Sequence, residues 1–144
     1  MAVTSGKPRA LSRQYDETWL AGVQTAVTKV ENLAAGADLT ERVFWRAPYP
    51  VEILACEILP EAASAGVDGS NTAAITLRNI TAAENIGTVT STSNWAANTP
   101  VALTLTAANV DVAGDAVIGI VVTNGATADL PIFNLQVTYR VQPL

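Results

Sequence analysis

Histidine is absent from the 144 residues of this chain, which removes the commonest catalytic side chain. Without an imidazole, the chain cannot by itself build a Ser-His-Asp triad, a Cys-His dyad or a histidine metal site. Its single cysteine, Cys56, cannot make a thiolate zinc site, and no glycine-rich phosphate-binding pattern occurs. Carboxylates are therefore the only candidates for catalysis.

Some of these carboxylates stand beside glycines in predicted loops. Asp111 and Asp115 flank Gly114, and Asp68 precedes Gly69. Oxygen-rich loops can bind calcium, but this spacing does not match an EF-hand loop, and a turn ahead of the next strand is the simpler interpretation. Paired carboxylates can also hydrolyse glycosides, although only within a cleft. We therefore predict a protein that is not an enzyme and that binds no metal or other cofactor.

Three aromatic side chains, Trp45, Tyr49 and Trp95, could stack on the apolar faces of sugar rings. Trp45 stands in an apolar strand and is expected in the core, whereas Trp95 stands in a loop rich in Ser and Asn and is expected to be exposed. Cys56 lies in an apolar run, which indicates a small, buried hydrophobic side chain. Trp95 is thus the best marker of an exposed binding site.

Seven segments combine apolar alternation with bordering turn residues, which is the pattern of β-strands. They are residues 39–46, 51–59, 72–80, 86–91, 101–106, 116–123 and 132–141. Phe133, Leu135 and Val137 share one face of the last segment, and Asn124-Gly125 is a strong turn signal ahead of it. This number and spacing of strands predict an all-β fold, an antiparallel β-sandwich resembling a jelly roll.

The segment ahead of these strands is predicted to be an extended N-terminal arm. We assign residues 1–36 to the arm and residues 37–144 to the sandwich domain. One face of a helix would carry the residues that recur at intervals of three and four: Tyr15, Trp19, Val23, Val27 and Val30. Val23, Thr25 and Val27 also alternate, as in a strand, so both alternatives stay open. Fully extended, the arm would span on the order of 120 Å and could reach a neighbouring subunit.

Charge is distributed unevenly along the chain. Residues 1–13 carry Lys7, Arg9 and Arg13 and no acid, whereas residues 31–144 carry four Arg against eleven Asp and Glu, or 4 − 11 = −7. An acidic body argues against nucleic acid as a partner. The basic tip suits an acidic protein surface, although a solvated terminus is an equal alternative. The absence of a long apolar run and of a secretory pattern predicts no membrane partner and synthesis in a cytoplasm.

Several stretches of the body resemble one protein family. They are Ala73-Ala74-Ile75-Thr76-Leu77-Arg78-Asn79, Thr99-Pro100-Val101-Ala102-Leu103-Thr104-Leu105-Thr106, Val112-Ala113-Gly114-Asp115-Ala116-Val117 and Gln136-Val137-Thr138-Tyr139-Arg140. In composition and order, over roughly residues 40–141, the chain resembles the decoration, or cementing, proteins of tailed-bacteriophage heads. Related β-domains also occur in phage tail and fibre proteins.

The resemblance implies a structural protein that binds the outer surface of an icosahedral phage head as a homotrimer and reinforces the junctions between capsomers. The major capsid protein would be its partner and the virion its location. Lys7, Arg9 and Arg13 would anchor the arm on the shell, and Tyr15 and Trp19 would supply its buried contacts. Two alternatives stay open. Trp19 could fold back onto the sandwich, and the domain could instead be a receptor- or glycan-binding module of a tail or fibre.

Overall fold

The computed structural model of this chain describes residues 22–142, and this part is built almost entirely of β-strands. The strands are β1 (Val23–Val30), β2 (Leu39–Arg46), β3 (Val51–Pro60), β4 (Ala73–Asn79), β5 (Glu84–Ser91), β6 (Val101–Ala102), β7 (Thr104–Leu105), β8 (Asp111–Val112), β9 (Val117–Asn124) and β10 (Phe133–Val141). A short 3₁₀ turn, Ala107–Asn109, separates β7 from β8. The seven segments predicted from apolar alternation all contain strands.

The strands form two antiparallel sheets that pack face to face. The first sheet has the order β1-β10-β3-β6, with β8 also paired to β3, and the second has the order β2-β9-β4-β5-β7. The longest strands, β3 and β10, lie inside the first sheet, where both of their edges find partners. The strands β1 and β2 lie at the sheet edges, so each has one edge without a strand partner among residues 22–142.

The pairing is nested, which identifies the topology as a jelly roll. β1 pairs with β10, β2 with β9, β3 with β8 and β6, and β4 with β5, as in one long antiparallel ribbon folded back between β4 and β5. The ribbon is wrapped so that β10 also pairs with β3 and β9 with β4. Wrapping a ribbon in this way buries one face of each strand between two sheets. The predicted all-β, jelly-roll-like sandwich is confirmed.

Alternation along the inner strands supplies the core. In β10 every second side chain is buried, beginning with Phe133, Leu135 and Val137, and the facing sheet contributes Ile75 and Leu77 from β4. Burying a side chain of this size stabilises the fold by about 1.5–3 kcal/mol. The face predicted for the last strand is therefore the face that packs in the interior.

Gly119 allows the edge strand β2 to lie close to β9. A Cβ atom at Gly119 would be 2.9 Å from the backbone oxygen of Arg42 and 2.5 Å from Cδ1 of Ile80. Gly119 pairs with Val43, next to a shift in the β2–β9 register. A side chain at this position would have to displace the β2 backbone, so the glycine is a requirement of packing.

Residues 22–36 belong to the sandwich, which corrects the predicted arm boundary. β1 pairs with β10 without interruption from Val23 opposite Arg140 to Val30 opposite Phe133. Beyond β1, the N–H of Leu33 donates to the backbone oxygen of Leu130 at 2.9 Å. The helical alternative is wrong for Val23–Val30, where β-branched residues in alternation form a strand with one exposed face. Residues 1–21 lie outside the described residues.

Candidate functional site

The five predicted arm residues, Lys7, Arg9, Arg13, Tyr15 and Trp19, lie outside the described residues. The structure does describe where their segment joins the sandwich. The chain passes Gly22 and at once becomes β1, the edge strand of the first sheet. β2, the edge strand of the second sheet, follows it along the chain. We call the side of the sandwich bounded by β1 and β2 the open side.

Arg42 joins the two edge strands of the open side. From β2, its Nη2 donates to the backbone oxygen of Lys29 in β1 at 2.5 Å and lies 3.5 Å from Oγ1 of Thr28. The other four Lys and Arg residues within 22–142 each contact a carboxylate: Lys29–Glu61, Arg46–Asp115, Arg78–Glu41 and Arg140–Glu52. In this part of the chain, only the Arg42 guanidinium lacks a carboxylate within 4 Å.

The outer edge of β1 carries backbone groups that face away from the sheet. In an antiparallel pair, the N–H and C=O of alternate residues turn to the same neighbouring strand. Because the oxygen of Lys29 turns outward to Arg42, the backbone groups of Val23, Thr25 and Val27 also turn outward. Side chains do not shield this edge: β1 contains no proline, its register with β10 has no bulge, and its one charge, Lys29, stands near the end. Such an edge can accept another strand.

The core is incompletely covered at the open side. Gln24, Ala26 and Thr28 turn inward from β1 but are only half-buried, although their partners in β10 are buried. From β2, Phe44 and Trp45 are likewise half-buried. Within the described part of the chain, these side chains, which the two edge strands turn toward the core, are therefore only partly buried.

An aromatic pair lies at one end of this gap. The rings of Trp45 and Tyr139 are 4.7 Å apart between centroids and tilted by 41°. The Tyr139 hydroxyl donates to Oε1 of Gln24 at 3.2 Å, and burial raises the pKa of that hydroxyl. This end of the open side thus combines apolar ring faces with a polar amide, a surface that suits another aromatic side chain.

Trp95 is not an exposed binding residue, which corrects the prediction made from its loop. Its side chain is 4% exposed, and its ring packs edge-on against Phe133 with centroids 5.4 Å apart. The indole Nε1 donates to Oγ of Ser91 at 2.9 Å, and the backbone N–H donates to Oγ of Ser64 at 2.7 Å. Ser64 and Ser91 therefore hold the Trp95 loop against the end of the core by hydrogen bonds. Tyr49, at 51% exposure, is the exposed aromatic residue of the three.

The carboxylates near Gly114 do not converge on a site. Asp111 accepts a hydrogen bond from Nε2 of Gln142 at 2.5 Å, whereas Oδ1 of Asp115 lies 3.3 Å from Arg46. Asp115 has φ +68° in the turn ahead of β9, as the turn interpretation requires. Among residues 22–142, no three His, Cys, Asp or Glu side chains are grouped as metal ligands.

Two further titratable groups, Asp68 and Cys56, have pKa values that are shifted by their surroundings in the fold. Asp68 accepts hydrogen bonds from the N–H groups of Ser70 and Asn71, each at 2.8 Å, and these bonds lower its pKa. Cys56 is buried, as predicted, and its burial, with a smaller effect from Glu57, raises the pKa of the thiol to about 12. The Cys56 thiol is therefore protonated and shielded, unlike a nucleophilic cysteine.

Comparisons with known proteins give no information about the open side, so this candidate site is defined by its geometry alone. No family model matches the chain, and no curated protein or solved structure is significantly similar to it. Within residues 22–142 there is also no helix with the length and apolarity to cross a bilayer. Sequence reasoning did not single out Arg42 or the outer edge of β1. The alternation at Val23, Thr25 and Val27 was a signal for that edge.

Proposed function

We propose that this protein is a structural decoration protein. It binds the outer surface of an icosahedral phage head as a homotrimer, contacts the major capsid protein and reinforces the junctions between capsomers. The observation that supports this proposal most is the nested jelly-roll pairing, because jelly rolls build viral capsid domains. The same architecture also builds lectin domains, so a glycan-binding module is the second candidate.

The charge distribution also supports the proposal. Residues 22–142 carry five Lys and Arg against eleven Asp and Glu, or 5 − 11 = −6, whereas Lys7, Arg9 and Arg13 stand in an acid-free segment. A basic segment on an acidic body can bind an acidic shell surface. Weak contacts of this kind become effective when many copies are bound to one assembly, because every bound copy stabilises the assembled state.

Location tests the proposal before any binding partner is known. An antibody raised against residues 22–142 is applied to particles from the producing lysate and detected by immunogold electron microscopy. Label spread over the whole head is the expected result. Label confined to a tail tip would favour the glycan-binding candidate, and a lysate whose particles carry no label would remove the phage proposal.

Anchoring by the basic residues is tested by removing charge while β1 stays intact. Deleting residues 1–36 would remove β1 from the first sheet, so the variant is the triple change Lys7→Gln, Arg9→Gln and Arg13→Gln. We expect weaker co-sedimentation with undecorated shells, and the loss should be larger at low salt. Arg46→Gln is the matched control, because Arg46 is an exposed cation of the body. Equal binding by the triple variant and the unchanged chain would contradict the anchoring role.

The glycan-binding candidate is favoured by one observation, the exposure of Tyr49 between two prolines. An exposed ring held in a short loop can stack on a sugar. The burial of Trp95 removes the other aromatic platform on which this candidate depended. A glycan array with the unchanged chain and Tyr49→Ala separates the candidates: binding that is lost with Tyr49→Ala would support the lectin function, and a silent array would oppose it.

A further inference from the structure

We propose that Asn124, the last residue of β9, is a deamidation site that the fold keeps unreactive, and that its conversion to aspartate releases the start of β2 from β9. The inference goes beyond the proposed function and does not rest on it, because it uses only contacts within one copy of the sandwich and no shell or glycan.

The first observation is the sequence Asn124-Gly125. Asn124 is the only asparagine in the chain that precedes a glycine. In deamidation, the backbone nitrogen of the next residue forms a bond to Cγ of the asparagine, the bond from Cγ to Nδ2 breaks, and ammonia leaves with the backbone amide proton. Water then opens the cyclic imide to aspartate or isoaspartate. Because glycine has no side chain to hinder its nitrogen, Asn124 has the highest intrinsic reactivity of the asparagines in this chain.

Packing explains why a glycine must follow Asn124. A Cβ atom at Gly125 would lie 2.4 Å from Cα of Asn71 and 2.9 Å from Cβ of the same residue. The N–H of Gly125 also donates to the backbone oxygen of Thr72 at 2.8 Å. The turn after β9 thus lies against the segment just before β4, where a larger residue would displace the backbone. The reactive sequence is therefore a requirement of the fold.

The amide of Asn124 is required as well, because it joins the start of β2 to the end of β9. Its Nδ2 donates to the backbone oxygen of Ala37 at 2.8 Å, and its backbone N–H donates to Oδ1 of Asp38 at 2.8 Å. β2 begins at the next residue, Leu39, which pairs with Val122 of β9. The two bonds therefore fix the point where the chain, coming from the first sheet, enters the second sheet.

In the folded protein, the groups that would react are held in other contacts. The N–H of Gly125, which must lose its proton before the nitrogen attacks, is bonded to Thr72, and the leaving nitrogen Nδ2 is bonded to Ala37. Oδ1 of Asn124 is buried and has no hydrogen-bond donor among residues 22–142, so negative charge developing on it would not be stabilised. Deamidation therefore needs the local opening that also exposes the Gly125 amide to solvent.

Aspartate at position 124 cannot restore the join. A carboxylate has no N–H to donate, so one of its oxygens would face the Ala37 oxygen, and the other would take the buried place of Oδ1. Asp38 accepts a bond from the N–H of the same residue, so the conversion also places two negative charges side by side. A copy that opens and deamidates therefore keeps a covalent record of the opening and does not close again in the same way.

Peptide mapping by mass spectrometry tests the site and its protection. The full chain is kept at pH 8, either folded or unfolded in urea, and the mass gain that accompanies replacement of NH₂ by OH is followed at each asparagine. We expect Asn124 to be converted in urea well ahead of Asn109, which precedes valine, and to be converted at least about tenfold more slowly in the folded protein. Equal rates for Asn124 in the two conditions would overturn the proposal, as would conversion in urea no faster than that of Asn109.

An Asn124→Asp variant of the full chain tests the consequence of the reaction. The readout is the exchange rate, measured by NMR, of the amide at position 124, which donates to Asp38. We expect this rate to rise about tenfold, while the amides of β10 keep theirs. Asn109→Asp is the matched control, because it also removes an Nδ2 bond to a backbone oxygen, that of Asn85, but at a distance from the join. An unchanged rate in Asn124→Asp, or an equal rise in the control, would overturn the proposal.

Discussion

Two neighbouring strands of the first sheet, β10 and β1, differ sharply in what they contribute. They pair residue for residue over the whole of β1 and both alternate. Every second side chain of β10 is buried, whereas Val30 is the single buried residue of β1. β10 lies between two strands and under the second sheet, while β1 lies at the edge. The comparison teaches that alternation alone predicts a strand, whereas the position of the strand in the sheet decides how many of its side chains are buried.

The same contrast extends to the second sheet. β9 is an inner strand with Ile118 and Ile120 buried, and β2 beside it is an edge strand with Val43 57% exposed. Arg42 ties the two edges together by side-chain bonds. The stability of the sandwich is thus concentrated in β10, β9 and their inner neighbours, whereas β1 and β2 each have one edge without a strand partner among residues 22–142.

The largest expected effect comes from truncating the centre of β10. Phe133→Ala should lower the free energy of unfolding by about 3–5 kcal/mol, since it removes a fully buried ring that also supports Trp95. Val27→Ala in β1 should change it by less than about 0.5 kcal/mol, because that side chain is mostly exposed. Urea titrations of both variants measure the difference. Equal losses would break the contrast between the two strands.

A smaller but clear effect is expected where β9 supports the edge strand β2. Gly119→Ala should cost about 1–3 kcal/mol, because its Cβ would meet the Arg42 backbone oxygen and force β2 outward. The control is Gly69→Ala, at a loop position with nothing within 4 Å of the added Cβ. Thermal unfolding of the two variants is the measurement. A Gly119→Ala variant as stable as the control would show that β2 is free to move.

The reactivity of a thiol should distinguish the inner strand β3 from the edge strand β1. Cys56 in β3 should resist alkylation at pH 8 until the protein unfolds, since burial raises its pKa to about 12. A cysteine introduced by Thr25→Cys on the exposed face of β1 should react within the folded protein. Mass spectrometry of the alkylated chains distinguishes the two sites. Rapid labelling of Cys56 in the folded chain would contradict its burial.

The raised pKa of Cys56 also predicts how the stability of the fold changes at high pH. The folded pKa of Cys56, about 12, lies above the reference value of 9.0, so unfolding favours the thiolate. Stability from this group is fully present below pH 9 and is lost as the pH rises toward 12. Tyr139, whose pKa is also raised by burial, acts in the same direction. We expect lower urea midpoints at pH 11 than at pH 8, and Cys56→Ala should reduce that difference.

The smallest effect is expected at the open side itself. Arg42→Gln should lower stability by about 0.5–1 kcal/mol, because it removes side-chain bonds to β1 at a half-exposed position. Arg46→Gln should cost less, since its ion pair with Asp115 is largely exposed. Chemical denaturation of the two variants gives the comparison. A loss for Arg42→Gln above that for Gly119→Ala would mean that the edge strands contribute more than their burial indicates.

Much of the fold could be predicted from local patterns. Period-two alternation in β4 and β10, with turn residues between the segments, located the strands and the buried faces. The absence of histidine excludes imidazole chemistry on composition alone. The predicted arm boundary did not recognise β1 as part of the sandwich. The reason is that an edge strand with one exposed face resembles a detached segment when its partner, β10, lies about a hundred residues further along the chain.

The candidate site, like the fold, could be predicted only in part from the sequence. The sequence by itself determined the strands, their apolar faces and the basic charge of the first thirteen residues, because these depend on residue type and spacing. Only the tertiary structure decided that Trp95 packs against Phe133, that Arg42 reaches β1 and that the outer edge of β1 has no strand partner among residues 22–142. Those features arise from contacts between residues distant in the chain, and the nested pairing of the jelly roll is what brings them together.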